Sequence, residues 1–338
     1  MIKIGVIGSG YWGKHHLRIF SQLPCELIGV ADINPEHAKL AEYFKIPFYK
    51  DYRKLLKKAD AVTVVTPPAT HYEIAKTALL RKKHVLLEKP FVLKLSQAQR
   101  LYKLAEKNKV HLMAGHTFLY NPAVRLIRRM LTENKLGRIY YLTMEWMNLG
   151  IIRSDVNALW NFAPHPFSIL NYLFEKLPVK VSFSGLSFIQ NGIEDFVSGS
   201  LFYENGIVAH LVLSWLHPVK IRQITLVGSK KLVRFDDVNN ESPVEIFDKG
   251  ITPEEFLKYQ SWDNFAEFKA KKRYGLLEIP EVDKIEPLKE ELREFINVSE
   301  GKVKLLSDQF TAVSTIALLE AAQKSMMKKG KIISVSGH

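Results

Sequence analysis

Short apolar runs alternate with amphipathic ones through the first third of the chain. The apolar runs predict strands near 2–8, 26–32, 61–66, 84–88 and 110–115, and the amphipathic ones predict helices near 12–22, 35–44, 70–82 and 96–108. Regular alternation of the two implies right-handed crossovers, and so a parallel sheet covered on both faces. The rhythm changes after Tyr120-Asn121-Pro122. A helix near 122–133, a strand at 139–146 and a helix near 166–175 lead into successive strand-like runs at 179–189, 196–203, 207–215, 221–227 and 231–235. Glu204-Asn205-Gly206 and Gly228-Ser229-Lys230 carry hairpin-turn chemistry, so this part reads as a mainly antiparallel sheet with helices on one side. Residues 250–285 are polar and irregular, as in a mobile or interface loop, and helices at 286–299 and 308–328 with a strand at 331–335 close the chain.

A hydrophobic share of 47% with 25% charged residues over 338 residues suffices for two domains, each with its own core. The change of rhythm divides them into residues 1–120 and 121–338, with the helix at 308–328 able to pack back on the first. Cys25 is the only cysteine, which excludes an intramolecular disulfide and a cysteine zinc cluster; no metal is expected, and a reducing cytoplasm fits. No run approaches the roughly 18 apolar residues of a membrane span. The N-terminal apolar run lacks the basic leader and cleavage site of an export signal, so neither membrane insertion nor secretion is expected.

The formal charge of +13 raises the question of nucleic acid or an anionic surface. Its distribution answers against both. Residues 1–118 hold 20 Lys and Arg against 9 Asp and Glu, and the remainder holds 28 against 26. The densest clusters, Lys57-Lys58 and Arg81-Lys82-Lys83, fall at the C-terminal ends of predicted helices, where cations complement the helix dipole. No basic stripe interleaved with aromatics and no helix-turn-helix pattern accompanies them, so a nucleic-acid partner is not expected.

The first predicted strand runs into Gly8-Ser9-Gly10-Tyr11-Trp12-Gly13 and then a helix, a G-x-G-x-x-G fingerprint in a strand–turn–helix setting. The three glycines serve a tight turn, close approach of backbone N–H groups to a pyrophosphate, and close packing of helix on sheet. The second strand ends in Asp32, about 20 residues further on, where this fold places an acid that accepts from a ribose 2′-hydroxyl. The first domain is therefore read as a Rossmann doubly wound sheet, and the acid favours NAD over NADP. The third long strand leads into Thr66-Pro67-Pro68-Ala69-Thr70-His71 and the next into Glu88-Lys89-Pro90, both at the carboxyl edge of the sheet. A lysine held there by a following proline is placed to hydrogen-bond a reacting hydroxyl or carbonyl.

With these motifs, Gly115-His116 followed by Tyr120-Asn121-Pro122, and His165 ahead of a helix, the chain resembles the Gfo/Idh/MocA family along essentially its whole length. The resemblance implies a C-terminal domain whose open antiparallel sheet forms an oligomer interface, here a homodimer or homotetramer. It implies NAD(P)-linked oxidation of a ring hydroxyl in a sugar-type substrate, a cis peptide before Pro90, substrate contact by Lys89 and acid–base work by His165; on this reading Lys89 and His165 together manage the hydroxyl proton. Candidate cofactor contacts are Gly8, Ser9, Gly10, Tyr11, Trp12, Gly13, Asp32, Thr66, Pro67, Pro68, His71, Glu88 and Lys89. Candidate substrate contacts are Lys89, His116, Tyr120, Arg153, Asn157, Trp160 and His165.

The chain departs from the pattern in one place. Many members have Asp-x-x-x-His where this one has Asn161-Phe162-Ala163-Pro164-His165. Asparagine orients an imidazole but does not stabilise imidazolium as a carboxylate does, which lowers the expected basicity of His165. The segment from Asn148 to Trp160 resembles the substrate loop of members that act on nucleotide sugars at carbon 3. There Arg153 would meet a phosphate or carboxylate, Asn157 a hydroxyl and Trp160 a ring face. His217, Lys220 and Arg222 stand as further candidates. The competing expectations are a dehydrogenase of cyclitols or dihydrodiols, and an NAD-binding regulator without turnover.

Overall fold

The computed structural model describes residues 1–250, 275–303 and 305–335, which form two compact units. One comprises 1–121 with 285–320, the other 122–284 with 321–338. Most of the expected loop at 250–285, namely 251–274, lies outside the described residues.

In the first unit, strands β1 (Lys3–Ile7), β2 (Glu26–Ala31), β3 (Phe48–Tyr49), β4 (Ala61–Val64), β5 (His84–Leu87) and β6 (Leu112–Ala114) form one parallel sheet in the order β3-β2-β1-β4-β5-β6. Ile4, Val6, Val62, Val64, Val85 and Leu87 are wholly buried, as strands covered on both faces must be. Helices α1 (Tyr11–Phe20), α2 (Ala38–Tyr43), α3 (Tyr52–Leu56), α4 (Pro68–Leu80) and α5 (Leu95–Asn108) supply the crossovers. Sequence periodicity missed β3 and α3, because two and five residues are too few to show a period.

In the second unit, α6 (Pro122–Thr132), β7 (Ile139–Met147), α7 (Ala158–Phe162) and α8 (Pro164–Phe174) precede strands β8 (Lys180–Leu186), β9 (Phe196–Phe202), β10 (Val208–Ser214), β11 (Ile221–Gly228), β12 (Leu232–Asp236), β13 (Val244–Phe247) and β14 (Leu277–Glu278). With β15 (Ile333–Ser334) the sheet has nine strands, ordered β14-β13-β12-β11-β7-β10-β9-β8-β15. The pairs are antiparallel except β7 with β10, because β7 inserts between β10 and β11. The helix expected near 166–175 is α8, and a short helix that was not expected, α7, precedes it: Pro164 lacks the N–H that would continue α7, and it starts α8 as its first residue.

One face of this sheet, including Leu142, Met144, Trp146, Phe183, Leu211 and Leu213, is buried. Phe167 of α8 meets Phe183 edge-on at 6.0 Å, while α6 and α7 lie on β12, β9 and β10. The other face carries Thr143, Glu145, Ser182, Ser198, Val212 and Thr225 at half-buried positions. Helices α9 (Pro287–Ser299) and α10 (Gln309–Met327) follow, and α10 begins with Asp308 Oδ1 accepting the Thr311 N–H at 2.8 Å. Among the described residues no helix is long and apolar enough to cross a membrane, and no group of three or more His, Cys, Asp or Glu could hold a metal.

Candidate active site

The strand order of the first unit reverses between β1 and β4, and ligands of open α/β sheets bind outside the carboxyl ends of the strands at such a point. Beyond β1 the chain turns at Gly8, which has a φ of +96° and whose absent Cβ would lie 2.6 Å from the Val65 carbonyl oxygen beyond β4. A Cβ on Gly13 would collide with the Gly8 carbonyl oxygen, so a glycine is what allows α1 to start against the turn. At Gly10, by contrast, a Cβ would meet nothing within 4 Å, and no side chain caps the helix. Uncapped helix N–H groups facing open space fit a pyrophosphate. Tyr11 and Trp12 are the first residues of α1, with exposed rings packed edge-on at 5.6 Å.

Asp32 follows β2 and is fixed from three sides. Its Oδ2 accepts from the Ser9 N–H at 2.7 Å and the Ser9 hydroxyl at 2.8 Å and faces His37 Nδ1 at 3.0 Å, while Oδ1 accepts the Asn34 N–H at 2.9 Å. Burial works against its charge, but the hydrogen bonds from Asn34, His37 and Ser9 outweigh it and hold the carboxyl below the usual range. It is thus an oriented carboxylate one strand away from the glycine turn.

Thr66-Pro67-Pro68 lies beyond β4, with Pro68 as the first residue of α4. The His71 ring is buried between carbonyls: Nε2 lies 2.8 Å from Thr66 O, and Nδ1 lies 3.0 Å from Pro90 O. His71 therefore ties the turn after β4 to the turn after β5. Burial lowers its pKa against the pull of those carbonyls. The Lys89–Pro90 peptide is cis, as the family resemblance implies.

Glu88 is buried beside this turn. Its Oε1 faces His16 Nε2 at 3.0 Å, and its Oε2 accepts the Lys89 backbone N–H at 3.0 Å. Burial raises its pKa, but the hydrogen bond and charge of His16, with help from Lys89, prevail and keep the carboxyl below its ordinary value. A Cβ on Gly115 would press on Glu88 at 3.2 Å, which explains the glycine before His116. His116 is buried with Nδ1 3.0 Å from Ser307 Oγ, and burial drops its pKa to about 4 although the Glu88 charge opposes this. Tyr120 is also buried, its hydroxyl donating to Glu294 at 2.8 Å.

Glu291 of α9 behaves in the opposite way to Glu88. Burial and the Glu88 charge push its pKa well above the ordinary value, against a 2.9 Å hydrogen bond from the Thr117 hydroxyl. The two buried carboxyls are thus shifted in opposite directions, Glu88 downward and Glu291 upward. For an acid whose folded pKa is raised, stability is full below the unfolded pKa and is lost as pH rises toward the folded value, at no more than about 1.4 kcal/mol per pH unit. Glu291→Gln, neutral throughout, should therefore melt like the parent near pH 4 and increasingly above it toward pH 8. Parallel melting curves across that range would show that Glu291 is charged in the folded protein.

In the second unit, His165 stands in the first turn of α8 and Asn161 in α7, four residues earlier. Asn157 caps α7, its Oδ1 accepting the Trp160 N–H at 3.1 Å, and its Nδ2 donates to Glu194 at 2.7 Å and Gln323 at 2.9 Å. Trp160 Nε1 also donates to Gln323, at 3.2 Å. The Arg153 guanidinium grips Asp155 in a fork at 2.8 and 2.6 Å. These contacts make Asn157 and Arg153 shape the loop itself. His217 Nδ1 lies 2.6 Å from Val219 O, and Arg222 pairs with Asp237 at 3.2 Å.

Sequence reasoning missed His16, Thr63, His37 and Glu291. Only Glu291 left a signal, as a carboxylate on the apolar stripe Leu288, Leu292, Phe295, Ile296.

Comparison with known proteins agrees with this geometry. Residues 2–116 match the profile described as "Oxidoreductase family, NAD-binding Rossmann fold", and residues 124–234 match the "GFO/IDH/MocA C-terminal domain". The chain is 28% identical over 241 residues to the UDP-N-acetylglucosamine 3-dehydrogenase of Acidithiobacillus ferrooxidans, covering 71% of this chain and 75% of that protein. It is 22% identical to the inositol 2-dehydrogenase of Rhizobium meliloti, covering 98% of each. Glucose-6-phosphate 3-dehydrogenase of Bacillus subtilis is 28% identical over 52% of this chain and 54% of its own length. Among solved structures, the Acidithiobacillus ferrooxidans enzyme GnnA superposes with a TM-score of 0.82 at 23% identity, covering 97% of this chain and 98% of its own. GenD2 from gentamicin A biosynthesis, solved with NAD, superposes at 0.83 and 20% identity, covering 99% of this chain and 97% of its own. At such identities the superpositions establish the fold, and with the two profile matches spanning more than half of its length, the chain belongs to the Gfo/Idh/MocA family of oxidoreductases with an NAD-binding Rossmann domain.

Proposed function

We propose that this protein is an NAD-dependent dehydrogenase acting on a ring CH–OH of a sugar-type substrate, with nucleotide sugars as the best-supported class. The observation that carries this reading is the uncapped, Gly10-opened start of α1 beside an oriented Asp32, on the same sheet edge as Glu88-Lys89-Pro90. The similarity to a UDP-N-acetylglucosamine 3-dehydrogenase supports the substrate class. The glycine turn and α1 would hold the pyrophosphate, and Asp32 the adenosine ribose. When bound, the nicotinamide supplies the hydride-accepting carbon. Lys89 hydrogen-bonds the substrate oxygen and, with His165, takes its proton on oxidation or returns it on reduction.

The second reading, an NAD-binding regulator without turnover, draws on Asn161 in place of a carboxylate. Supplying purified protein with NAD and, in turn, UDP-N-acetylglucosamine, glucose 6-phosphate and myo-inositol separates the two. Growth of reduced-nicotinamide absorbance with any of them supports the enzyme, and tight NAD binding with none turned over supports the regulator.

Asp32 should make NAD the preferred cofactor, since a 2′-phosphate would meet its negative charge. Titration should show NADP binding more weakly than NAD, and Asp32→Ala should narrow the gap. Equal binding of both by the unaltered protein would remove Asp32 as the selector.

The half-buried face of the nine-stranded sheet, with Val212 among its serines and threonines, supports assembly of copies of this chain through that face as a dimer or tetramer. Sedimentation at micromolar concentration should show such a species, and a monomer alone would rule it out.

A further inference from the structure

We propose that His16 is a positioning residue for Lys89, acting through Glu88, and that it couples the helix that starts the cofactor site to the lysine turn. This rests on the reading of Lys89 as a proton handler. His16 lies on α1, six residues after Gly10, and is wholly buried. Its Nδ1 lies 3.0 Å from the hydroxyl of Thr63, itself buried within β4, and its Nε2 lies 3.0 Å from Glu88 Oε1. The other Glu88 oxygen takes the Lys89 N–H at 3.0 Å. An ionised carboxylate only accepts, so Nε2 carries the hydrogen toward Glu88, and the Thr63 hydroxyl can serve Nδ1 as donor or acceptor.

The chain Thr63–His16–Glu88–Lys89 thus crosses from the middle of one strand, through α1, to the backbone of the lysine. Other charged or titratable groups near Glu88 are His71 from α4, His116 after β6 and Glu291 from α9. The Glu88 charge acts on each of these three, whereas His16 grips the carboxylate by a hydrogen bond. A buried polar chain of this kind is commonly no more stabilising than apolar side chains of the same size. Its physical use here is to fix where the Lys89 backbone sits relative to the helix whose N-terminus would face the pyrophosphate.

The test uses the full chain labelled with [15N]lysine, with the Lys89 amide assigned by its disappearance in Lys89→Arg. An amide proton bonded to a carboxylate resonates downfield. His16→Leu should move that resonance upfield, and His16→Gln, which keeps a donor toward Glu88, should restore most of its position. On the best-turned-over substrate of the panel above, His16→Leu should lower kcat by about 10- to 100-fold, as loss of a supporting hydrogen-bond partner typically does. KM for NAD should stay within about twofold, and His16→Gln should recover most of kcat. If His16→Leu does not fold, Thr63→Val, which removes only the Nδ1 partner, should give a smaller shift in the same direction. An unmoved Lys89 amide, or an unchanged kcat in His16→Leu beside a collapsed one in Lys89→Ala, overturns the role of His16 and leaves that of Lys89 standing. Full activity of Lys89→Ala overturns both.

Discussion

Lys89→Ala is expected to lower turnover by roughly 10²–10⁴, the range typical of lost acid–base help, while the dissociation constant for NAD changes little. The separation follows from the layout of the first unit. The groups assigned to pyrophosphate and ribose are the glycine turn after β1 and Asp32 after β2, whereas Lys89 follows β5. His165→Ala should give a loss of the same order. Asn161→Asp adds the carboxylate that the family resemblance implies at this position. By stabilising imidazolium it should raise the pKa of His165 and move the acidic limb of the pH–rate profile to higher pH. Turnover measured across pH, with NAD affinity from equilibrium titration, checks all three variants. Near-normal turnover in His165→Ala with an unmoved profile in Asn161→Asp would make His165 structural and leave Lys89 as the proton handler.

Gly13→Val is expected to abolish measurable NAD binding and to destabilise the fold by about 1–3 kcal/mol, as overpacking against a rigid neighbour does. The neighbour is backbone, the Gly8 carbonyl oxygen, and cannot swing aside as a side chain could. Gly10→Ala makes an instructive contrast. Gly10 has a φ of −66°, ordinary for alanine, and a Cβ there meets nothing within 4 Å. Its melting temperature should stay near the parent value while NAD affinity falls, because the added methyl occupies the approach to the helix N-terminus. Thermal unfolding and NAD titration of the two variants measure both effects. Unweakened NAD binding in Gly10→Ala would place the pyrophosphate elsewhere.

The two-part architecture was legible because its signals are local and repeated. Apolar runs of four or more residues separated by amphipathic helices mark the parallel sheet, and Glu204-Asn205-Gly206 marks the β9–β10 hairpin. The parallel pairing of β7 with β10 was not legible, since strands about 60 residues apart in the chain leave no mark of their register. The same asymmetry governs the site. Gly8, Gly13 and Asp32 announce themselves because the turn and the strand end permit few alternatives. His16 and Thr63 sit on ordinary helix and strand positions, and their meeting with Glu88 exists only after β4 and β5 have paired beneath α1. Arg153 and Asn157 were read as substrate contacts from the resemblance of their loop, and their pairing with Asp155, Glu194 and Gln323 was not legible because it depends on how the loop folds.

Hydride transfer from a ring carbon to NAD is measured directly by isotope transfer. Incubating the protein with NAD and UDP-N-acetylglucosamine carrying deuterium on its ring carbons, then weighing the reduced cofactor by mass spectrometry, follows that hydrogen. Reduced cofactor heavier by a single deuterium is the expected result. Unreduced cofactor after prolonged incubation with the deuterated sugar, and likewise with deuterated glucose 6-phosphate and myo-inositol, would contradict it.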